Sequence, residues 1–335
     1  MNISEANLGV SIILCTYNGL ERLTPTLEHL CRLEPVDQME LVVVDNLSTD
    51  GTGAFCLNYL EKNCAYEWKV VSEERAGLIY ARQKGIETSK FPVLLFCDDD
   101  NYLSVNYVVR GVSLLKVHQK IGALGGKGSA VFEAEEPAWF QRYHYSFATG
   151  AQHTKSGRID EPAAEIYGAG SFWRRSALDA IHRKGIEPLL TGRKGAYVVS
   201  GDDVEWCYLV QLAGYEIWYD EQLIFEHVMP SGRMKWNYYL QLKKGIAAGS
   251  ALLFPYQVYL QQKNSNRFYF LMLYISKTMA LVFQWVRFKL RYVFTDVQSF
   301  PELQLAEVTI KSRCFSFFKN SKLAYMRFCL LKSVF

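Results

Sequence analysis

The stretch Phe91–Leu103, FPVLLFCDDDNYL, drives an apolar run straight into three consecutive aspartates. An apolar segment without polar alternation fits a strand covered on both faces, as parallel strands are when helices flank the sheet. The pattern has precedents upstream. VSIILCTYN (10–18) and ELVVVDN (40–46) are apolar runs closed by polar residues, and WKVVSEE reads as a further strand. Between them, LERLTPTLEHLCRL and GLIYARQKGIETS carry helical spacing. Strands alternating with helices imply an α/β fold with a mostly parallel central sheet and right-handed crossovers. Ligands of such sheets bind beyond the carboxyl ends of the strands. Those ends read CTYN, VDNLSTDGT, SEERAG and CDDDN, so the site is expected there.

Adjacent carboxylates repel one another and are costly to bury unpartnered, so something positive belongs beside Asp98–Asp100. In an extended chain Asp98 and Asp100 face one way and Asp99 the other. Two carboxylates on one side of a strand end suit a hard divalent ion such as Mg2+ or Mn2+. The alternative is a solvated acidic turn, and the buried run before it favours a functional role. A second acidic pair, Asp202 and Asp203, opens the predicted helix SGDDVEWCYLVQLAGY, with Gly214 as its stop. Capping accounts for Asp202, whereas Asp203 is placed to accept a proton from a hydroxyl. His227 ends the predicted strand EIWYDEQLIFEH; it reads either as structural or as a neutral imidazole completing a metal site. Asp45 closes the second strand, where a dinucleotide-binding fold puts its ribose-binding acid. That fold needs a glycine-rich turn after the first strand; CTYNGLER is not one, and the nicotinamide reading fails.

A chain of 335 residues, half of them hydrophobic and 21% charged, supplies a core for one large α/β domain or two smaller ones and excludes wholesale disorder. A net charge of +3 does not argue for nucleic acid, which is not expected as a partner. The eight cysteines are scattered without a CxxC pair, which favours buried free thiols in a reducing compartment over a zinc site or disulfides. The polar N-terminus has no signal-peptide pattern, giving a cytoplasmic expectation.

Residues 104–230 are less regular, with a glycine cluster GALGGKGSA, an aromatic loop EEPAWFQRYHY, and YGAGSFWRRSAL as a turn leading into a helix. Of Trp139, Phe140, Phe172 and Trp173, the two phenylalanines read as core. Trp173, after a flexible GAG, is the candidate to stack on an acceptor sugar. From Met234 the pattern is helical, aromatic and basic, and no acid follows Glu307. FYFLMLYISKTMALVFQWV (268–286) is nearly long enough to cross a bilayer, but Lys277 sits mid-segment at a cost of about 2.5–3.5 kcal/mol. Lys277, Gln284, Arg287 and Arg291 form one polar stripe, so the helix either lies in a membrane interface or packs on the catalytic domain.

The motifs VSIILCTYNGLERLTPTLEHL, ELVVVDNLSTDGT, RAGLIYARQKGI, VLLFCDDDN and SGDDVEWCYLVQLAGYEIWYDEQLIFEH occur in the order seen in family 2 glycosyltransferases with the GT-A fold. The resemblance covers roughly residues 9–250. YGAGSFWRRSAL and TGRKGAYVVSGDD resemble most the bacterial branch described in hormogonium polysaccharide biosynthesis. It implies a catalytic domain over 1–233, split into a nucleotide-binding half (9–103) and an acceptor-binding half (104–233), and a C-terminal helical region over 234–335. Thr16, Tyr17, Asn18, Asp45, Asn46, Arg75, Arg82, Asp98 and Asp99 would surround a nucleotide-sugar, expected to be UDP-linked. Asp98, Asp100 and His227 would hold Mn2+ or Mg2+, and Asp203 would be the base of an inverting hexosyl- or N-acetylhexosaminyl-transferase. Asp202 and Trp173 would meet the acceptor, a glycan or lipid-linked oligosaccharide of surface polysaccharide synthesis, with possible peripheral contact at the inner membrane face. One departure is Gly201-Asp202-Asp203 where the family usually reads Gly-Glu-Asp. Two rivals remain: a metal-dependent phosphoryl-transfer enzyme, whose motif wants Thr or Val where Tyr102 stands, and a catalytically silent sugar-binding scaffold.

Overall fold

The computed structural model describes residues 8–194, 197–198 and 200–335. Its first hundred residues alternate strand and helix as predicted, with one helix, α2, that the sequence reading did not name: β1 (Val10–Thr16), α1 (Leu23–Cys31), β2 (Met39–Asp45), α2 (Thr52–Asn63), β3 (Glu67–Ser72), α3 (Leu78–Thr88) and β4 (Val93–Asp98). The middle holds β5 (Asn101–Leu103), α4 (Tyr107–Val117), β6 (Ile121–Phe132), α5 (Phe140–Tyr143), β7 (Gly157–Arg158), β8 (Ser171–Arg174) and α6 (Arg175–Arg183). A short ribbon of β9 (Arg193–Lys194) and β10 (Tyr197–Val198) precedes α7 (Asp202–Leu212) and β11 (Glu216–Met229). Four helices close the chain: α8 (Trp236–Gln261), α9 (Arg267–Arg291), α10 (Pro301–Lys319) and α11 (Ser321–Val334).

Nine strands form one sheet in the order β3-β2-β1-β4-β8-β6-β11-β5, with β7 attached to β11. β1, β2, β3, β4, β6 and β11 run the same way, and β5, β7 and β8 run against them. The mostly parallel sheet follows from the apolar runs: every residue of β1 is buried, because both faces are covered. Alternation sorts each strand between two cores. Ile12, Leu14, Leu41 and Val43 pack on the side of α1, α2 and α4, whereas Ile13, Cys15, Val42 and Val44 join α3, α7 and the C-terminal helices. The register then levels the strand ends. Thr16 pairs with Asp45 and Cys15 with Asp98, so the polar tails of β1, β2 and β4 finish on one rim.

Two segments differ from their sequence reading. The glycine cluster lies inside β6, and its glycines allow close approach: a Cβ on Gly126 would stand 2.2 Å from the Leu223 carbonyl oxygen. YGAGSFWRRSAL contains the reversed strand β8 before its helix, with Phe172 stacked on Tyr107 at 5.6 Å. Its two arginines are structural. Arg174 donates to the carbonyls of Ile121 and Leu115, and Arg175 to those of Phe91, Ile86 and Ser89.

Candidate active site

A cleft of about 810 Å³ opens over the carboxyl rim of the sheet, between the tip of β4, the start of α7 and helices α8–α10. The triple aspartate forms its floor. The chain does not stay extended through it: β4 ends at Asp98, a turn follows, and β5 begins at Asn101. The expected alternation is therefore broken, and each carboxylate finds a different arginine. Asp98 lies 3.7 Å from the Arg82 guanidinium on α3. Asp99 accepts from Arg22 at 2.6 Å and from the Thr16 hydroxyl at 2.7 Å. Asp100 accepts from Arg233 at 2.7 Å and lies 3.4 Å from His227 Nε2. The positive charge demanded by the sequence is supplied in this structure by guanidinium groups from three separate segments. Arg22 and Arg233 went unpredicted, because nothing local marks a cation whose partner is distant in sequence.

Those partners set the acids' character. Burial pushes the Asp100 carboxyl up, but the His227 imidazole and Arg233 guanidinium outweigh it and hold the group well below the usual carboxylate range. Asp99 is held above its ordinary value, mainly by burial, with Arg22 pulling the other way.

The start of α7 forms the opposite wall. Gly201, at φ +115°, makes the sharp entry into the helix. Asp202 accepts from Arg82 at 3.0 Å, so Arg82 bridges the β4 tip and the α7 start. Asp203 accepts from its neighbour's amide, Val204, at 2.9 Å and from the Gly168 amide at 3.1 Å. A Cβ on Gly168 would meet the Asp203 Cβ at 3.3 Å, which is the close approach the first glycine of YGAG permits. Burial foremost, then the charge of Asp202, raise the Asp203 carboxyl to about 6, against the pull of Arg82 and the two amides. A carboxylate so tuned is suited to taking a proton near neutral pH.

Thr16, Tyr17, Asn46, Arg82, Asp98, Asp99, Asp100, Asp202, Asp203 and His227 all line the cleft. Asn18, Asp45, Arg75 and Trp173 are not among its lining residues. Asn18 and Asp45 organise the loop after β2, accepting from the amides of Thr49 and Ser48. The Asn46 amide group is spent on the carbonyls of Glu73 and Arg75 and on the Gly77 N–H. Arg75 pairs with Glu73 and lies over Tyr80. Trp173 does not stack on an acceptor: it is buried in the core of β8, its indole N–H donating to Ser171 at 2.7 Å. Trp139 sits in an aromatic cluster with Phe140, Phe147, Trp236 and Tyr239.

Among the described residues no group of three or more His, Cys, Asp or Glu is gathered to hold a divalent ion. Two ligands do fit. His227 Nδ1 lies 2.8 Å from the Phe147 carbonyl, and Nε2 lies 3.4 Å from both Asp100 and Arg233; with its N–H kept on Nδ1 by that carbonyl, the ring would present Nε2 to a bound ion. A neutral imidazole and a carboxylate side by side suit an ion whose other ligands come from a diphosphate and water. Asp98 lies 3.7 Å from Arg82, so the pair gathered closest at the floor is Asp100 with His227.

Residues 11–181 match the profile of Glycosyl transferase family 2. Glycosyltransferase AglE of Haloferax volcanii is 26% identical over 221 residues, 65% of this chain and 66% of its own length. The glucosyl-dolichyl phosphate glucuronosyltransferase of the same organism is 22% identical over 68% of this chain and 72% of its own. A match to the putative glycosyltransferase EpsH of Bacillus subtilis spans only 28% of that protein. Among solved structures, the mannosyltransferase PcManGT of Pyrobaculum calidifontis, bound to GDP-Man and Mn2+, superposes with TM-score 0.57 at 16% identity over 91% of this chain and 86% of its own. S. aureus TarS 1-349 with UDP-GlcNAc gives 0.54 at 15%, over 94% and 92%. These likenesses establish the GT-A fold.

Proposed function

The chain belongs to glycosyl transferase family 2, and from that premise we infer that it is an inverting glycosyltransferase using a nucleotide-sugar donor. One observation carries the mechanism: Asp203, tuned to about 6, faces the Asp98–Asp100 floor across a single cleft. An acceptor hydroxyl attacks the anomeric carbon from the Asp203 side. The new C–O bond forms as the bond to the diphosphate breaks, the electron pair leaves with the diphosphate, and the proton passes to Asp203. Inversion follows from the opposed positions of base and leaving group. Arg82 and Arg233 keep the acids of the floor compensated while a second anion, the diphosphate, enters. A divalent ion held by Asp100 and His227 would neutralise charge on that diphosphate. PcManGT with GDP-Man and Mn2+ and TarS with UDP-GlcNAc support this donor class. UDP is the expected nucleotide and a hexose or N-acetylhexosamine the expected sugar. The catalytic unit is assigned to 1–233 and the accessory helical region to 234–335.

Release of UDP or GDP from a panel of nucleotide-sugars, with Mn2+ or Mg2+, tests the reading. Turnover is expected from at least one donor, falling on the acid side with a midpoint near pH 6 as Asp203 takes up its proton. Turnover of phosphate monoesters alone would replace it with the phosphoryl-transfer reading.

The acceptor side is assigned to a membrane surface. One edge of α9 is buried through Phe270, Tyr274, Leu281 and Phe288, while Phe268, Met272, Met279, Phe283 and Leu290 stand exposed. Exposed cations Arg267, Arg287, Lys289 and Arg291 lie on the same helix. An apolar stripe edged with positive charge suits anionic lipid at the cytoplasmic face. The full chain is expected to float with phosphatidylglycerol vesicles, less at high salt and less still when Phe283 and Leu290 become Asp. Flotation unchanged by both would refute the contact.

A further inference from the structure

The end of the cleft between α8, α9 and α10 contains positive charge that the donor reaction does not use. One face of α8 lines it at helical spacing: Lys243, Ile246, Ser250, Leu253 and Gln257. Lys277 and Leu281 face it from α9, one turn apart, and Arg313 and Phe317 from α10. Three cations from three helices thus line one cavity, Lys243 half-buried and Lys277 and Arg313 at its solvent-open side. Among the described residues none of them makes an ion pair or hydrogen bond. The other cations of the cleft behave differently, since Arg22, Arg82 and Arg233 each face an aspartate. Glu165, the remaining acid lining the cleft, is occupied by the Tyr208 hydroxyl.

Burial, and then the like charge of Arg313, hold the Lys243 ammonium below its usual range. Uncompensated cations converging on one cavity repel, and a bound anion relieves that repulsion. The donor diphosphate is assigned to the β4 floor, so this anion belongs to the other substrate. Leu253, Phe254, Leu281 and Phe317 make the surroundings apolar, and the exposed stripe of α9 continues beyond them. A free sugar or inorganic anion has no use for such walls, whereas a phosphate joined to a hydrocarbon chain fits both features.

We propose that Lys243, Lys277 and Arg313 form the phosphate-binding subsite for a lipid-phosphate-linked acceptor, whose sugar reaches toward Asp203 and whose chain leaves along α9. The proposal rests on the glycosyltransferase reading above and names its acceptor class. No group is transferred at the subsite; it binds and orients.

Calorimetric titration of the full chain with geranyl phosphate, geraniol and inorganic phosphate tests it. Geranyl phosphate is expected to bind at least about tenfold more tightly than either of the others. K243Q/K277Q/R313Q should lose that preference with a melting temperature no lower than the wild type's, and the charge-keeping K243R/K277R/R313K should preserve it. Equal binding of geraniol and geranyl phosphate, or a preference that survives the glutamine variant, overturns the subsite. Inorganic phosphate binding as tightly as the ester overturns the lipid assignment. Nucleotide release by the wild-type chain reads the parent proposal separately. Release without ester preference removes the subsite alone, whereas ester preference without release from any donor removes its role in glycosyl transfer.

Discussion

Asp203→Asn is expected to lower glycosyl transfer by about 10²- to 10⁴-fold, the usual contribution of a positioned general base. The amide is nearly isosteric, so donor binding should change little and the loss should fall on kcat. A second signature accompanies it: the acid limb near pH 6 belongs to the Asp203 carboxyl, so the residual rate of the variant should be flat there. The parallel measurement is transfer to acceptor across pH 4.5–8 for both proteins. A variant with wild-type rate, or one that keeps the acid limb, would move the base elsewhere.

Arg82→Met should produce the other large effect. Its guanidinium contacts Asp202 at 3.0 Å and Asp98 at 3.7 Å, with 14% of the side chain exposed, and helps pull the Asp203 carboxyl down. Without it three acids lose their shared cation. Breaking such a pair costs on the order of 3 kcal/mol, somewhat less where water reaches the partners. The Asp203 carboxyl should rise above about 6, so the acid limb moves to higher pH and activity at pH 7 falls. Because a carboxyl with a raised folded value weakens the native state as pH climbs, the stability deficit should shrink in acid. Thermal melting and rate profiles at pH 5 and 8 would reveal both shifts, and a deficit that grew in acid would contradict the assignment.

How much of this was legible in the sequence differs by residue. The rim was readable, because buried parallel strands must end in polar residues and the pairing register aligns those ends. Thr16, Asp98, Asp99 and Asp203 therefore reach one cleft, as the motifs suggested. The orientation of each acid was not readable. Alternation along an extended chain put Asp98 and Asp100 on one side, whereas a turn follows β4 and each of them meets a different arginine. Arg22 and Arg233 look like any surface cation until the fold brings them to the floor. Trp173 was misjudged because a glycine-rich lead-in hides a short central strand, where a large aromatic residue belongs in the core. Lys277 read as part of a polar stripe, and Lys243 and Arg313 only as members of a basic helical tail; packing alone shows that they converge.

The reversed strand β8 has a consequence beyond topology. Its neighbour β4 finishes at the cleft, whereas β8 starts from there, so the segment entering it delivers a peptide N–H to Asp203 through Gly168. What that position must provide is an amide hydrogen, not a side chain. The proton affinity of the Asp203 carboxyl is thus governed partly by the direction in which one strand is threaded.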